Sequence, residues 1–151
     1  MKTIQGDLIK LAQKGEFDVI IHGCNCFCAM GAGIAKTIKQ KFPAAYTVDL
    51  QTNKGDKNKL GTISTAEVKT PHGKLIVVNA YTQFHWRGHG QKVDYEALRT
   101  AFRAVKTNYS GLRIAYPAIG AGLAGGHWKT IAQIIDEELS DENHTFVKYN
   151  K

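Results

Sequence analysis

Short apolar runs alternate along this chain with stretches in which apolar residues recur every three or four positions. Val19-Ile20-Ile21, opened by Asp18, is uninterrupted and β-branched, which predicts a strand buried on both faces. Lys2–Ile4 reads as a shorter first strand, stopped at Gln5-Gly6-Asp7. Leu8, Ile9 and Leu11 then begin a short helix for which Asp7 is a suitable N-cap and Gly15 the terminator. Ile34, Ile38 and Phe42, four apart, predict a second helix, ended at Phe42-Pro43 because proline cannot donate into it. The stretch 44–50 carries no decisive period, and 52–57 is a polar turn. Gly61–Thr70 and Lys74–Ala80 form a strand pair across Thr70-Pro71-His72-Gly73. Leu98, Phe102 and Val105 give the region Asp94–Lys106 one apolar helical face, and Ile131, Ile134, Ile135 and Leu139 do the same for Trp128–Leu139. Leu112–Pro117 and Thr145–Tyr149 read as further strands.

Strands alternating with helices, plus one hairpin, predict a single three-layer α/β domain over 1–151 with a mixed central sheet. Two of the strands empty into glycine-rich loops. Ile21 is followed by His22, Asn25 and then Gly31-Ala32-Gly33; Tyr116-Pro117 is followed by Ala118-Ile119-Gly120-Ala121-Gly122-Leu123. Each loop leads into a helix, so backbone N–H groups and a helix N-terminus are expected at the carboxyl edge of the sheet, where a phosphate can be held without a charged side chain. Neither loop carries the Lys-Ser/Thr ending of a P-loop or the Gly-x-Gly-x-x-Gly of a dinucleotide fold. Recognition of a nucleotide by backbone groups, without a metal-binding hydroxyl, is the chemistry left.

Composition narrows the picture. A hydrophobic content of 43% over 151 residues suffices for one core, and no run approaches the ~18 apolar residues of a membrane span. The start lacks the apolar stretch of a secretory signal, and a cytoplasmic protein that does not engage membranes is expected. Cys24, Cys26 and Cys28, an odd number within five residues, fit a reducing compartment. Their spacing matches no zinc pattern, so metal binding is not expected and packing beside the loop is. The net charge of +7 favours anionic partners. Lys54, Lys57 and Lys59 are scattered through polar turns and read as solvated surface rather than a nucleic-acid arm.

The order Gly6-Asp7, then Ile21-His22-Gly23-Cys24-Asn25-Cys26 with Met30-Gly31-Ala32-Gly33-Ile34-Ala35, then Tyr116-Pro117-Ala118-Ile119-Gly120-Ala121-Gly122 and Trp128, resembles the macro domain family. Within it the chain is most similar to the branch of yeast-type ADP-ribose-1″-phosphate phosphatases, and His85-Trp86-Arg87 is similar to the branch of ADP-ribosyl-acceptor glycohydrolases. The resemblance implies a three-layer α/β/α macro domain with a mixed central sheet, a monomer without cofactor or metal. Its ligand would be ADP-ribose or a derivative, or an ADP-ribosylated macromolecule. It also implies ligand-binding positions. Asp7 and Leu8 would meet the adenine and Tyr149 would stack near it; Gly31, Ala32, Gly33 and Ile34 would wrap the distal ribose. Ala118, Ile119, Gly120, Ala121, Gly122 and Leu123 would take the diphosphate. The catalytic expectation is His22 with Asn25, the imidazole protonating a leaving oxygen or positioning water and the amide orienting that water or the ribose. A histidine satisfied at a strand end is the competing reading of His22. His85, His89 and His127 fall in loops beside the crevice without metal-ligand spacing.

Two departures bear on the reaction. Gln83 and Ala124 stand where the glycohydrolase branch uses a lysine and an aspartate, and an amide cannot form the amine adduct with an opened ribose that a lysine can. Hydrolysis of ADP-ribose-1″-phosphate is therefore the expected activity, with an ADP-ribosyl hydrolase or a non-catalytic ADP-ribose reader as the alternatives.

Overall fold

The computed structural model describes residues 1–87 and 90–149; His89 lies outside them. Strands β1 (Lys2–Gly6), β2 (Val19–Cys24), β3 (Ile63–Thr70), β4 (Gly73–Tyr81), β5 (Ile114–Tyr116) and β6 (His144–Tyr149) form one sheet in the order β1-β6-β5-β2-β4-β3. All neighbours are parallel except the β3–β4 hairpin, so the sheet is mixed.

The helices are α1 (Leu8–Gln13), α2 (Gly33–Lys41), α3 (Pro43–Leu50), α4 (Tyr95–Tyr109) and α5 (Trp128–Glu138). They cover both faces. Val19 and Ile21 of β2 point to the layer of α4 and α5 and pack with Leu98, Phe102, Ile131 and Ile135. Ile20, between them, points the other way and packs with Leu8 of α1, Ile38 of α2, Ala45 of α3 and Phe42, the residue between α2 and α3. The period-two alternation of a strand thus divides one apolar run between two cores, which is why every residue of that run is apolar.

Three boundaries differ from expectation. Strand β2 runs on through His22, Gly23 and Cys24, each opposite a residue of β4. A polar side chain can continue a central strand when a partner is provided on the neighbouring strand, and Asn79 is that partner. Pro43 follows the end of α2 as expected and is also the first residue of α3; its missing N–H costs nothing at that position. The stretch without a decisive period, 44–50, belongs to α3. Lys59, expected in solvent, is buried in a short 3₁₀ turn (Lys57–Lys59) and pairs with Asp49 of α3.

Among the described residues no helix is long and apolar enough to cross a membrane.

Candidate functional site

Parallel strands deliver their carboxyl ends to one edge, and that edge carries the motifs singled out above. Gly6 of β1 lies opposite Tyr149 of β6, which brings Asp7 and Tyr149 to the same end of the sheet. Asp7 caps α1 by accepting the Lys10 N–H at 3.1 Å through Oδ1, and Oδ2 carries no protein partner among the described residues. Leu8 is buried, so only its backbone can meet a ligand, whereas Tyr149 is 68% exposed and offers a free ring face.

Further along the edge, neighbouring β5 and β2 feed the two glycine loops. The loops meet: a Cβ on Gly33 would lie 3.7 Å from Leu123 Cδ1. Gly33 (φ +58°) and Gly120 (φ +76°) both occupy the left-handed region, where a side chain is strained. At Gly120 a Cβ would also fall 2.7 Å from Val93 Cγ2, so this turn can tighten only around glycine. The Gly126 N–H donates to the Gly120 carbonyl at 2.7 Å and the Ala121 N–H to that of Ala118 at 3.2 Å, which curls the second loop back on itself. Ile119 is buried against the core and contributes backbone alone, while Ala118, Gly122 and Leu123 are exposed. Helix α2 begins at Ala32 without a side-chain cap. The N–H groups of Gly31, Gly33, Gly120 and Gly122 donate to no carbonyl or side chain among the described residues. Uncapped donors of this kind, at the crevice between the loops and beside a helix N-terminus, are suited to an anion.

His22 does not face this crevice. Its ring has no exposed surface. Its Nε2 lies 2.6 Å from Asn79 Oδ1 and its ring nitrogens 3.5 and 3.7 Å from Cys24 Sγ. Asn79 spends its amide hydrogens on the Ala45 carbonyl and Ser64 Oγ, so its Oδ1 accepts and His22 Nε2 carries the proton. Burial pulls the imidazole down from 6.5 to about 4, overriding the opposing pull of the Asn79 bond and the Asp49 carboxylate. A neutral ring in this position holds the end of β2 and acts on a ligand only through its neighbours. Asn25 clamps the loop that follows. Its Nδ2 donates to the Ala29 carbonyl at 2.8 Å, and its Oδ1 accepts from the N–H groups of Phe27 at 2.9 Å and Ala29 at 3.3 Å. One amide hydrogen is left for a ligand or water.

The three cysteines, Cys24 at the end of β2 and Cys26 and Cys28 in the loop after it, are free and buried. Burial pushes the thiols of Cys24 and Cys26 up, which keeps them protonated and unsuited to nucleophilic attack. Among the described residues no group of His, Cys, Asp and Glu side chains could hold a metal ion. Beside the loop, Phe27 packs edge-on to Phe84 (5.0 Å between centroids), His85 stacks on Trp86 (4.4 Å), and the Arg87 guanidinium lies 5.0 Å from the Trp86 ring. Gln83 donates to the His85 carbonyl at 3.1 Å and Ala124 is buried. His127 is exposed at the start of α5.

Sequence reasoning missed Lys59 and Asp49. Nothing in Lys57-Asn58-Lys59 marks the third residue as buried. For Asp49 a signal exists: Ala45 and Asp49 are four apart on α3 and share its inward face, which becomes legible once the stretch is taken as helix.

The chain is similar to known proteins. The Macro domain family matches residues 21–135. An uncharacterized 17.5 kDa protein of Enterobacteria phage T4 is 37% identical over 143 residues, covering 90% of this chain and 88% of that protein. An ADP-ribose 1″-phosphate phosphatase of Aspergillus oryzae is 52% identical over 48 residues, 32% of this chain and 22% of the phosphatase. The solved macrodomain of Mycobacterium tuberculosis DarG has a TM-score of 0.75 at 18% identity, covering 99% of this chain and 97% of that one.

Proposed function

The chain belongs to the macro domain family, and from that premise we propose that it binds ADP-ribose and hydrolyses ADP-ribose-1″-phosphate to ADP-ribose and phosphate. The observation that carries the reading is the meeting of two glycine loops whose N–H groups lack partners. Local identity to a phosphatase of that substrate supports the choice of reaction.

Each part of the ligand finds matching chemistry. The free oxygen of Asp7 accepts from the adenine amino group while the exposed ring of Tyr149 packs beside the base. The N–H groups of Gly120 and Gly122 take the diphosphate, and Gly31–Ile34 surrounds the distal ribose. A phosphate on C1″ then lies close to the N-terminus of α2, whose dipole and free N–H groups stabilise charge on its oxygens as the P–O bond to C1″ breaks. Water is the nucleophile, since the Cys24 and Cys26 thiols are buried and held protonated. Its oxygen joins phosphorus and the released ribose oxygen takes up a proton. Asn25 keeps one N–H for that water, and His22 serves by holding β2 in register with Asn79.

Purified protein incubated with ADP-ribose-1″-phosphate is expected to release inorganic phosphate at rates well above the uncatalysed background. Parallel incubations with ADP-ribosylated protein and DNA are expected to release nothing, because Gln83 cannot supply the amine of the related glycohydrolases. Release from those acceptors, with no phosphate from the small substrate, would replace this reading by the ADP-ribosyl hydrolase one.

A further inference from the structure

Beneath the first glycine loop lies a charged pair that the reading above does not use. Lys59 and Asp49 are both buried, with Nζ 3.7 Å from Asp49 Oδ1. The ammonium also points at the loop, 3.4 Å from the Cys26 carbonyl and 3.5 Å from Cys28 Sγ. It thus donates to two positions of the loop while its charge pairs with α3. Asp49 answers from the other side: its backbone carbonyl accepts from Cys28 Sγ at 3.2 Å, and its Oδ1 accepts from Tyr81 Oη at 2.7 Å. The Gly55 N–H joins at the Cys26 carbonyl, 2.7 Å away.

A buried ion pair is a poor device for stability alone, because desolvation offsets most of its attraction and apolar side chains would pack as well. What it supplies here is direction. Cys28 is one of two non-glycine residues in the left-handed region among the described residues, at φ +57°. The contacts from Lys59 and Asp49 bracket it, and five residues later the chain reaches Gly33 at the start of α2.

We propose that the Lys59–Asp49 pair is the positioning element of the first glycine loop, and that it sets the preference for ligands carrying a distal ribose. The inference rests on the ADP-ribose reading of the cleft. Asp7, Tyr149 and the second glycine loop are held by other elements, so the adenine and diphosphate subsites stand without the pair.

ADP lacks the distal ribose and ends in a free terminal phosphate instead; because the comparison is between wild type and variant for each ligand, calorimetric titration with both separates the two ends of the cleft. In the double variant Lys59→Met/Asp49→Asn the charges leave together and an acceptor for Tyr81 remains. It is expected to melt cooperatively, to bind ADP as the wild type does, and to lose about tenfold or more in affinity for ADP-ribose. Unchanged affinity for ADP-ribose would overturn the proposal, as would parallel loss of both ligands. A double variant that fails to melt cooperatively would also overturn it, by making the pair a requirement of folding rather than of positioning. A wild type that binds neither ligand would instead refute the reading of the cleft, before any variant is compared.

Discussion

The His22 ring ordinarily titrates near 6.5 and here is pulled to about 4 by its burial. In the unfolded chain it recovers its usual affinity for a proton. Unfolding therefore takes up a proton between those pH values, and the stability that His22 contributes is complete above pH 6.5 and lost as the pH falls toward 4. The loss amounts to about 3 kcal/mol at most. Denaturant titrations at pH 7 and pH 4.5 check this against His22→Gln, which cannot ionise. The wild type is expected to lose more stability between the two pH values than the variant does. His144, also held down by burial, is common to both proteins and cancels in the comparison. Parallel losses would show that His22 does not titrate in this range. The sequence could not choose between a catalytic and a satisfied histidine because the deciding partner, Asn79, is 57 residues away.

Element by element, most of the architecture could be read from periodicity alone. Helix α4 and strands β2 and β4 announced themselves through strong patterns, and the cap at Asp7 through its residue type. The element that escaped was α3, whose inward face is Ala45 and Asp49, too small and too polar to register as an apolar stripe. Its loss concealed the buried pair and left Lys59 looking like a surface lysine. The Asp7 cap yields a prediction of its own, because capping uses one oxygen of the carboxylate and the proposed adenine contact would use the other. Asn caps about as well as Asp. Asp7→Asn is thus expected to leave the melting temperature nearly unchanged while weakening ADP-ribose by about 1 kcal/mol, as a charged acceptor gives way to a neutral one. Calorimetry beside a thermal melt distinguishes the two effects. A variant that melts lower and binds normally would assign Asp7 to the helix alone.

At the scale of the whole molecule, function follows from where parallel strands end. Five of the six strands run the same way, and their carboxyl ends assemble Asp7, Tyr149, Asn25 and both glycine loops along one edge. The motifs could be seen in the sequence, but their meeting could not: proximity of Gly33 and Leu123 depends on β2 and β5 being neighbours although α2, α3, β3, β4 and α4 separate them in the chain. A net charge of +7 favours approach of an anion to the protein as a whole. The proposed ADP-ribose cleft at this edge is open to one decisive measurement, isothermal titration of the folded wild-type protein with ADP-ribose. A saturable heat with one ligand bound per chain is expected; a cooperatively folded protein that yields no saturable heat with ADP-ribose would contradict the proposed cleft.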